Sequence, residues 1–261
     1  MFGFVGGGNM ASAIISGLIA SGTSPSEIIV SDKNSNTLAH LKSLHSVCTT
    51  ELNAEAASRC DILFMCVKPN ILQCVADEIK DVISDNTVIV SIAAGKNLAA
   101  LEKMFGSAKK IVRVMPNTPA LVGEAMSAAC SNKNAESVID TIVDIFNKMG
   151  KCEKVSEQLF DTVTAVSGSS PAYVFMMIEA MADGAVQGGM SRELAYKFAA
   201  QAVLGSAKMV LETGKHPGEL KDMVCSPGGT TIDAVASLEN NGFRNAIIDA
   251  MNACRNKSKI M

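Results

Sequence analysis

The sequence contains no tryptophan, two tyrosines and three histidines, and aromatics make up 4% of its 261 residues. His40, His45 and His216 are dispersed, so no metal site built on histidines is expected. Positive charge is also scarce: 23 Lys+Arg stand against 26 Asp+Glu, a net charge of -3. Nucleic-acid binding driven by electrostatics is thereby excluded as a first reading, because phosphate contacts need a basic surplus. No apolar run approaches the roughly 18 residues that a membrane span requires. The most apolar helical stretch, Pro171 to Met190, carries Glu179 and Asp183. The eight cysteines (48, 60, 66, 74, 130, 152, 225 and 254) form no C-x-x-C pair and are irregularly spaced, several of them inside apolar runs such as Ile62 to Val67. They read as free thiols in a reducing compartment and not as a disulfide framework. No basic segment precedes the first apolar run, Met1 to Val5, so a cytoplasmic location without a secretory signal is expected.

What is present is a globular composition, 48% hydrophobic and 19% charged. At roughly 150 residues per domain the length allows one or two domains. Strands are predicted at Met1–Val5, Glu27–Ser31, Asp61–Val67, Thr87–Ile92 and Lys109–Met115, with helices near Asn9–Ser21, Ser35–Leu44, Pro69–Ile83 and Leu98–Phe105. The strands are continuous apolar runs, which suits a parallel sheet covered on both faces, and the alternation predicts right-handed βαβ units. A further strand pair, Ala125–Ser131 and Lys151–Val155, flanks a helix at Ala135–Met149. From Ser156 onward strand signals vanish and the chain becomes Ala- and Met-rich at helical spacing. Val174, Met177, Ile178, Met181 and Ala185 form one apolar stripe, and Ala180, Gly184 and Gly188 recur every four residues. The small residues fit either tight packing within the chain or a dimer interface. The fold class expected is α/β: a doubly wound Rossmann-type sheet over 1–155, then an all-helical substrate and dimerisation domain over 156–261. Such a helical half, with few aromatics, has a thin core on its own.

Directly after the first strand comes Gly6-Gly7-Gly8-Asn9-Met10-Ala11, a G-x-G-x-x-A pattern opening a helix. Gly6 makes the turn, Gly8 admits a pyrophosphate, Ala11 keeps helix and strand close, and the helix N-terminus offers N–H donors. The second strand ends at Ser31-Asp32-Lys33-Asn34. An acid at Asp32 accepts from a ribose 2′-hydroxyl, which favours NAD, whereas Lys33 and Asn34 suit a 2′-phosphate and NADP; both remain open. Two other strand ends, Val67-Lys68-Pro69 and Ala93-Ala94-Gly95, are placed to flank the cofactor.

These stretches, with Met115-Pro116-Asn117-Thr118-Pro119, Ser167-Gly168-Ser169-Ser170-Pro171-Ala172-Tyr173, Leu220-Lys221-Asp222 and Ser226-Pro227-Gly228-Gly229-Thr230-Thr231, resemble the pyrroline-5-carboxylate reductases. The motifs run in that family's order from residue 6 to about 239, with Thr230 standing where Ala is common. The resemblance implies NADPH as cofactor, with NADH also possible, and a hydride transfer to the C=N carbon of 1-pyrroline-5-carboxylate that yields L-proline. It also implies subunits paired through their helical domains, as a homodimer or a larger ring of dimers. The expected cofactor-binding set is Gly6, Gly7, Gly8, Asn9, Met10, Asp32, Lys33, Asn53, Val67, Lys68, Pro69, Ala93, Ala94 and Asn117.

Pro227 to Thr231 reads as a turn feeding a helix that starts near Thr230, an anion site suited to a carboxylate. Ser226, Gly229, Thr230 and Thr231 are the residues expected to hold it, with Lys221 adding positive field. An imine nitrogen is basic enough to arrive protonated, so a strong general acid is not required. His216, beside Pro217-Gly218, reads as structural, and Thr231, with Ser226 beside it, is the better candidate for proton delivery. Two other readings exist. A β-hydroxyacid dehydrogenase needs a lysine acid with an Asn four residues on, and no such pair follows Ser167–Pro171. A dinucleotide sensor without catalysis needs no second anion site.

Overall fold

The apolar runs pair as the sequence predicts and add one strand that it did not announce. The structure, a computed structural model describing residues 1–260, contains one eight-stranded sheet. Its strands are β1 (Phe2–Val5), β2 (Ile28–Ser31), β3 (Cys48–Thr50), β4 (Ile62–Met65), β5 (Val88–Ser91), β6 (Lys110–Met115), β7 (Ala125–Ser131) and β8 (Gly150–Lys154). They lie in the order β3-β2-β1-β4-β5-β6-β7-β8, and all neighbours are parallel except β6 and β7. The helices of this part are α1 (Asn9–Ala20), α2 (Ser35–His45), α3 (Asn53–Ser58), α4 (Leu72–Ile79), α5 (Leu98–Phe105), α6 (Ile139–Asn147) and α7 (Phe160–Val163).

The two faces of the sheet are buried separately because alternate strand residues point opposite ways. Phe4, Val30, Phe64 and Val90 join Ile14, Leu18 and Phe146 in one core. Val5, Leu63, Met65 and Ile89 join Leu72, Leu101 and Phe105 in the other. Phe4 and Phe64 stack with centroids 4.7 Å apart, and Phe146 meets Phe64 edge-on at 6.2 Å. Each such fully buried side chain contributes about 1.5–3 kcal/mol.

Packing puts the boundary between units later than composition does. Residues 1–169 and 254–260 form one compact unit and 170–253 the other. The reason is Phe160, which is 1% exposed under the Arg113 guanidinium at 4.3 Å. Beside it, Glu157 accepts from the Leu98 amide at 2.6 Å and from Arg113 at 3.1 Å. These contacts bind a helical-looking segment to the sheet.

The second unit is all helical: α8 (Ser170–Gln187), α9 (Arg192–Thr213), α10 (Pro217–Val224), α11 (Thr230–Asn240) and most of α12 (Phe243–Ser258). Gly189, at φ +92°, ends α8, and Ser191 occupies the N-cap of α9. The core is thin: the buried residues of this unit are Ala182, Ala195 and Ala199. Phe175, Phe198 and Leu211 stand 62%, 62% and 83% exposed. A Cβ added at Gly184 would meet nothing within 4 Å, so its smallness does not serve packing inside this chain.

Candidate functional site

In the first unit, the reversal of strand order between β1 and β4 sets a crevice beyond the carboxyl ends of the strands, where open α/β sheets take ligands. The glycine loop lies there. Gly6 has φ +96°, and a Cβ on it would sit 2.7 Å from the Cys66 carbonyl oxygen, so no other residue fits. Its amide donates to the Ser31 carbonyl at 2.8 Å. Gly8 is the N-cap of α1 and accepts from the Ser12 amide at 3.0 Å; no side chain caps the helix. The N–H groups of Asn9, Met10 and Ala11 therefore lack partners within the helix. A Cβ on Gly8 would meet nothing within 4 Å. A glycine opening onto free space at the positive end of a helix fits the pyrophosphate of a dinucleotide. Asn9 is exposed, and Met10 packs partly against the core.

Around this cradle the other expected cofactor residues are placed in different ways. Asp32, just past β2, accepts from the Gly7 amide and from the Asn34 amide, both at 2.8 Å. Lys33 donates to the Glu51 carbonyl at 3.3 Å and lies 3.6 Å from Glu78. Asn34 caps α2 by accepting from the Asn36 amide at 2.9 Å. Asn53 is buried; its oxygen accepts from the Ser31 hydroxyl at 3.0 Å and its amide donates to Glu78 at 2.8 Å. Val67 packs against the second core, Lys68 is exposed, and the Lys68 carbonyl closes the turn at Pro69 by accepting from Ile71. Ala93 is buried and Ala94 half-buried at the end of β5.

Asn117 is buried, and both ends of its carboxamide are used inside the protein. The oxygen accepts from the Met126 amide and the nitrogen donates to the Ser167 carbonyl, each at 3.0 Å. Ser167 belongs to a π-helical turn, Thr164–Gly168, an irregularity that composition does not announce. The residue that sequence reasoning overlooked here is Glu78, which meets both Asn53 and Lys33 from α4. Its only signal was a position on the helix after the fourth strand.

In the second unit, Ser226 to Gly229 form a turn: the Gly229 amide donates to the Ser226 carbonyl at 3.0 Å, with Gly228 at φ +64°. Gly229 is the N-cap of α11, and no side chain caps it. A Cβ at Gly229 would collide with Ser226 Oγ, so this hydroxyl lies against the start of the helix. Among the described residues the hydroxyls of Ser226, Thr230 and Thr231 hydrogen-bond to no other group of the chain. Three hydroxyls and the open amides of one helix start make a compact donor set for an anion. Lys221, on α10, pairs with Asp222 at 2.6 Å, which holds its ammonium above the usual lysine range. His216 is the N-cap of α10, its Nδ1 accepting from the Gly218 amide at 3.1 Å.

Comparison with known proteins bears on both halves. A family model described as "Pyrroline-5-carboxylate reductase dimerisation" matches residues 157–261, and one described as "NADP oxidoreductase coenzyme F420-dependent" matches 1–95. The chain is 52% identical to the pyrroline-5-carboxylate reductase of Escherichia coli over 98% of its own length and 96% of the relative's. A solved pyrroline-5-carboxylate reductase from Coxiella burnetii superposes with a TM-score of 0.91 at 36% identity, covering 99% of this chain and 97% of that one. The Plasmodium falciparum pyrroline carboxylate reductase, solved with NADP bound, gives 0.90 at 37% identity over 99% and 97%.

Proposed function

The chain belongs to the pyrroline-5-carboxylate reductase family, and from that premise we propose how its residues carry out the NAD(P)H-dependent reduction of 1-pyrroline-5-carboxylate to L-proline. The observation that carries the reading is the pairing, in one chain, of a dinucleotide cradle at Gly6–Met10 with a second anion site at Ser226–Thr231. The dinucleotide, when bound, supplies the hydride that adds to the imine carbon. Everything else falls to the protein.

Gly8, Asn9 and Met10 hold the pyrophosphate through backbone amides, Gly6 and Gly7, whose amides go to Ser31 and Asp32, shape the turn that lets it approach, and Asp32 faces the adenosine ribose. Val67, Lys68, Pro69, Ala93 and Ala94 border the nucleotide at the ends of β4 and β5. Lys33 and Asn53 stand at the ribose end and act there through Glu78. Asn117 shapes the nicotinamide end indirectly, by fixing the π-helical turn. Ser226, Gly229, Thr230 and Thr231 take the substrate carboxylate, and Lys221 adds positive field. With the carboxylate fixed at one end, the planar ring is held for attack, a proximity effect. The imine nitrogen needs one proton, which the substrate brings as an iminium or receives by way of the Thr231 hydroxyl, with Ser226 adjacent. The placement of His216 as a helix cap agrees with a route that uses no imidazole.

The helical unit is the dimerisation domain of this family. We propose a homodimer, or a ring of dimers, in which a second copy covers Phe175, Phe198 and Leu211 and the apolar groove between α8 and α9 lined by Met177, Met181, Val203 and Val210. The domain limit is proposed at the change of composition near Ser156, with residues 1–155 binding the dinucleotide and 156–261 forming the helical domain. A cytoplasmic location is supported by eight free thiols. No helix among the described residues is long and apolar enough to cross a membrane.

The test is to follow NADPH and NADH oxidation with 1-pyrroline-5-carboxylate and, in parallel, NADP+ and NAD+ reduction with a 3-hydroxyacid as the competing reaction. Turnover on the imine with proline as product supports the reading. Nucleotide binding without turnover on the imine overturns it.

A further inference from the structure

Beside the end of α12, and wholly within the first unit, lies a polar cavity of about 270 Å³ that is separate from the glycine loop and from the Ser226–Thr231 turn. It is far larger than a void that holds a single water. It falls just short of the roughly 300–1,000 Å³ of sites for drug-sized ligands, so its size suits a smaller molecule. Arg113 reaches it from β6 and is 6% exposed. One face of the guanidinium lies over the Phe160 ring at 4.3 Å, and Nη1 donates to Glu157 at 3.1 Å. Nε and Nη2 donate to no group among the described residues, yet both retain accessible surface. These two nitrogens form the edge of the fork that takes a carboxylate by two parallel hydrogen bonds. Buried donors are ordinarily satisfied inside a protein, so a buried cation with that edge unspent points to a ligand.

Two carboxylates line the same cavity. Glu157 uses Oε1 for both the Leu98 amide at 2.6 Å and Arg113. Asp161 uses Oδ1 to accept from the Ser258 hydroxyl at 2.6 Å. The second oxygen of each accepts from no group among the described residues. Lys259 also lines the cavity, but it is exposed and adds little. The lining thus holds two cations and two anions. A simple anion gains Arg113 but is set against Glu157 and Asp161, and a simple cation meets the reverse. A molecule that carries both charges one carbon apart satisfies both. We propose that this cavity binds a small α-amino acid as its zwitterion, with the carboxylate on Nε and Nη2 of Arg113 and the ammonium on the free oxygens of Glu157 and Asp161. An occupant held in this way joins β6 to the end of α12, which Ser258 already ties to Asp161.

The experiment titrates the whole protein with L-alanine, propionate and ethylammonium by calorimetry, and follows amide hydrogen exchange with and without L-alanine. Propionate is L-alanine without its ammonium, and ethylammonium is L-alanine without its carboxylate. L-Alanine is expected to bind with a Kd of about 1 mM or tighter, and each one-charge probe at least about tenfold more weakly. Exchange should slow over residues 157–161 and 254–259. Arg113→Lys keeps the charge but not the two-nitrogen edge and should weaken L-alanine by about tenfold. Asp161→Asn keeps the acceptor for Ser258 but not the charge and should weaken it by about fivefold. Thr231→Ala lies outside the cavity and should leave the affinity within about twofold of wild type. If Arg113→Lys fails to fold, the one-charge probes and Asp161→Asn still decide. The proposal is overturned by a one-charge probe that binds as tightly as L-alanine, or by no L-alanine binding at about 10 mM. It is equally overturned by slowed exchange confined to residues 226–231, or by wild-type affinity in both cavity variants.

Discussion

The Asn117 amide donates to the Ser167 carbonyl at 3.0 Å, joining the loop after β6 to the π-helical turn that precedes α8. The same carboxamide accepts from the Met126 amide on β7. Asn117→Ala therefore takes this partner from the part-buried Met126 amide and Ser167 carbonyl, each loss costing about 1 kcal/mol. The thermal unfolding midpoint of the variant is expected to fall accordingly. Wild-type stability in Asn117→Ala contradicts this role.

Gly8→Ala separates folding from cofactor binding. The new methyl has no neighbour within 4 Å in the chain, so the melting temperature should hold. If Gly8 belongs to the proposed cradle, the methyl meets the pyrophosphate and nucleotide affinity should weaken by about tenfold or more. Unchanged affinity in titration removes Gly8 from the cradle.

Thr231→Ala removes a hydroxyl at the start of α11. The expected effect is a rise in KM or a fall in kcat of about tenfold, the scale of one hydrogen bond to a charged group. Nucleotide affinity should not change. Wild-type kinetics place Thr231 outside the substrate site.

Acidification should reveal His45. Partial burial, and secondarily the nearby His40, hold its imidazole below the ordinary 6.5. The Ser12 hydroxyl lies 3.0 Å from its Nε2. Because the folded state takes up this proton less readily than the unfolded state, the group has no effect well above pH 6.5. Stability falls as the pH drops through 6.5 toward the lower folded value. His45→Gln should show a shallower loss over that window in denaturant titrations. Parallel slopes for the two proteins exclude the effect.

Charge placed on the exposed helical face tests assembly. Phe198→Glu combined with Leu211→Glu puts two carboxylates where apolar side chains are 62% and 83% exposed. Sedimentation velocity should show the wild type as a dimer or larger species and the variant as a monomer. An unchanged distribution places the interface elsewhere.

Much of this was legible in the sequence because it was local. The strand, glycine turn and helix from Phe2 to Ala20 stand in the order their residues dictate, and Thr230 begins α11 after its Pro-Gly-Gly turn. What escaped was short or distant. β3 is the three residues Cys-Thr-Thr, half-exposed, and α3 has six residues, too few for periodicity to register. The helix expected over Pro69–Ile83 is regular only from Leu72 to Ile79, because turns at Lys68 and Ile79 consume both ends. The unit boundary followed Phe160 and Arg113, a contact between residues far apart in the chain. Nothing near Lys33 in sequence announces its neighbour Glu78.

The most direct test uses reduced nicotinamide dinucleotide carrying deuterium at its transferable position, with 1-pyrroline-5-carboxylate and the purified protein, and reads the product by mass spectrometry. L-Proline heavier by one deuterium on the former imine carbon is the result expected. Nucleotide that binds while no labelled proline forms contradicts the account.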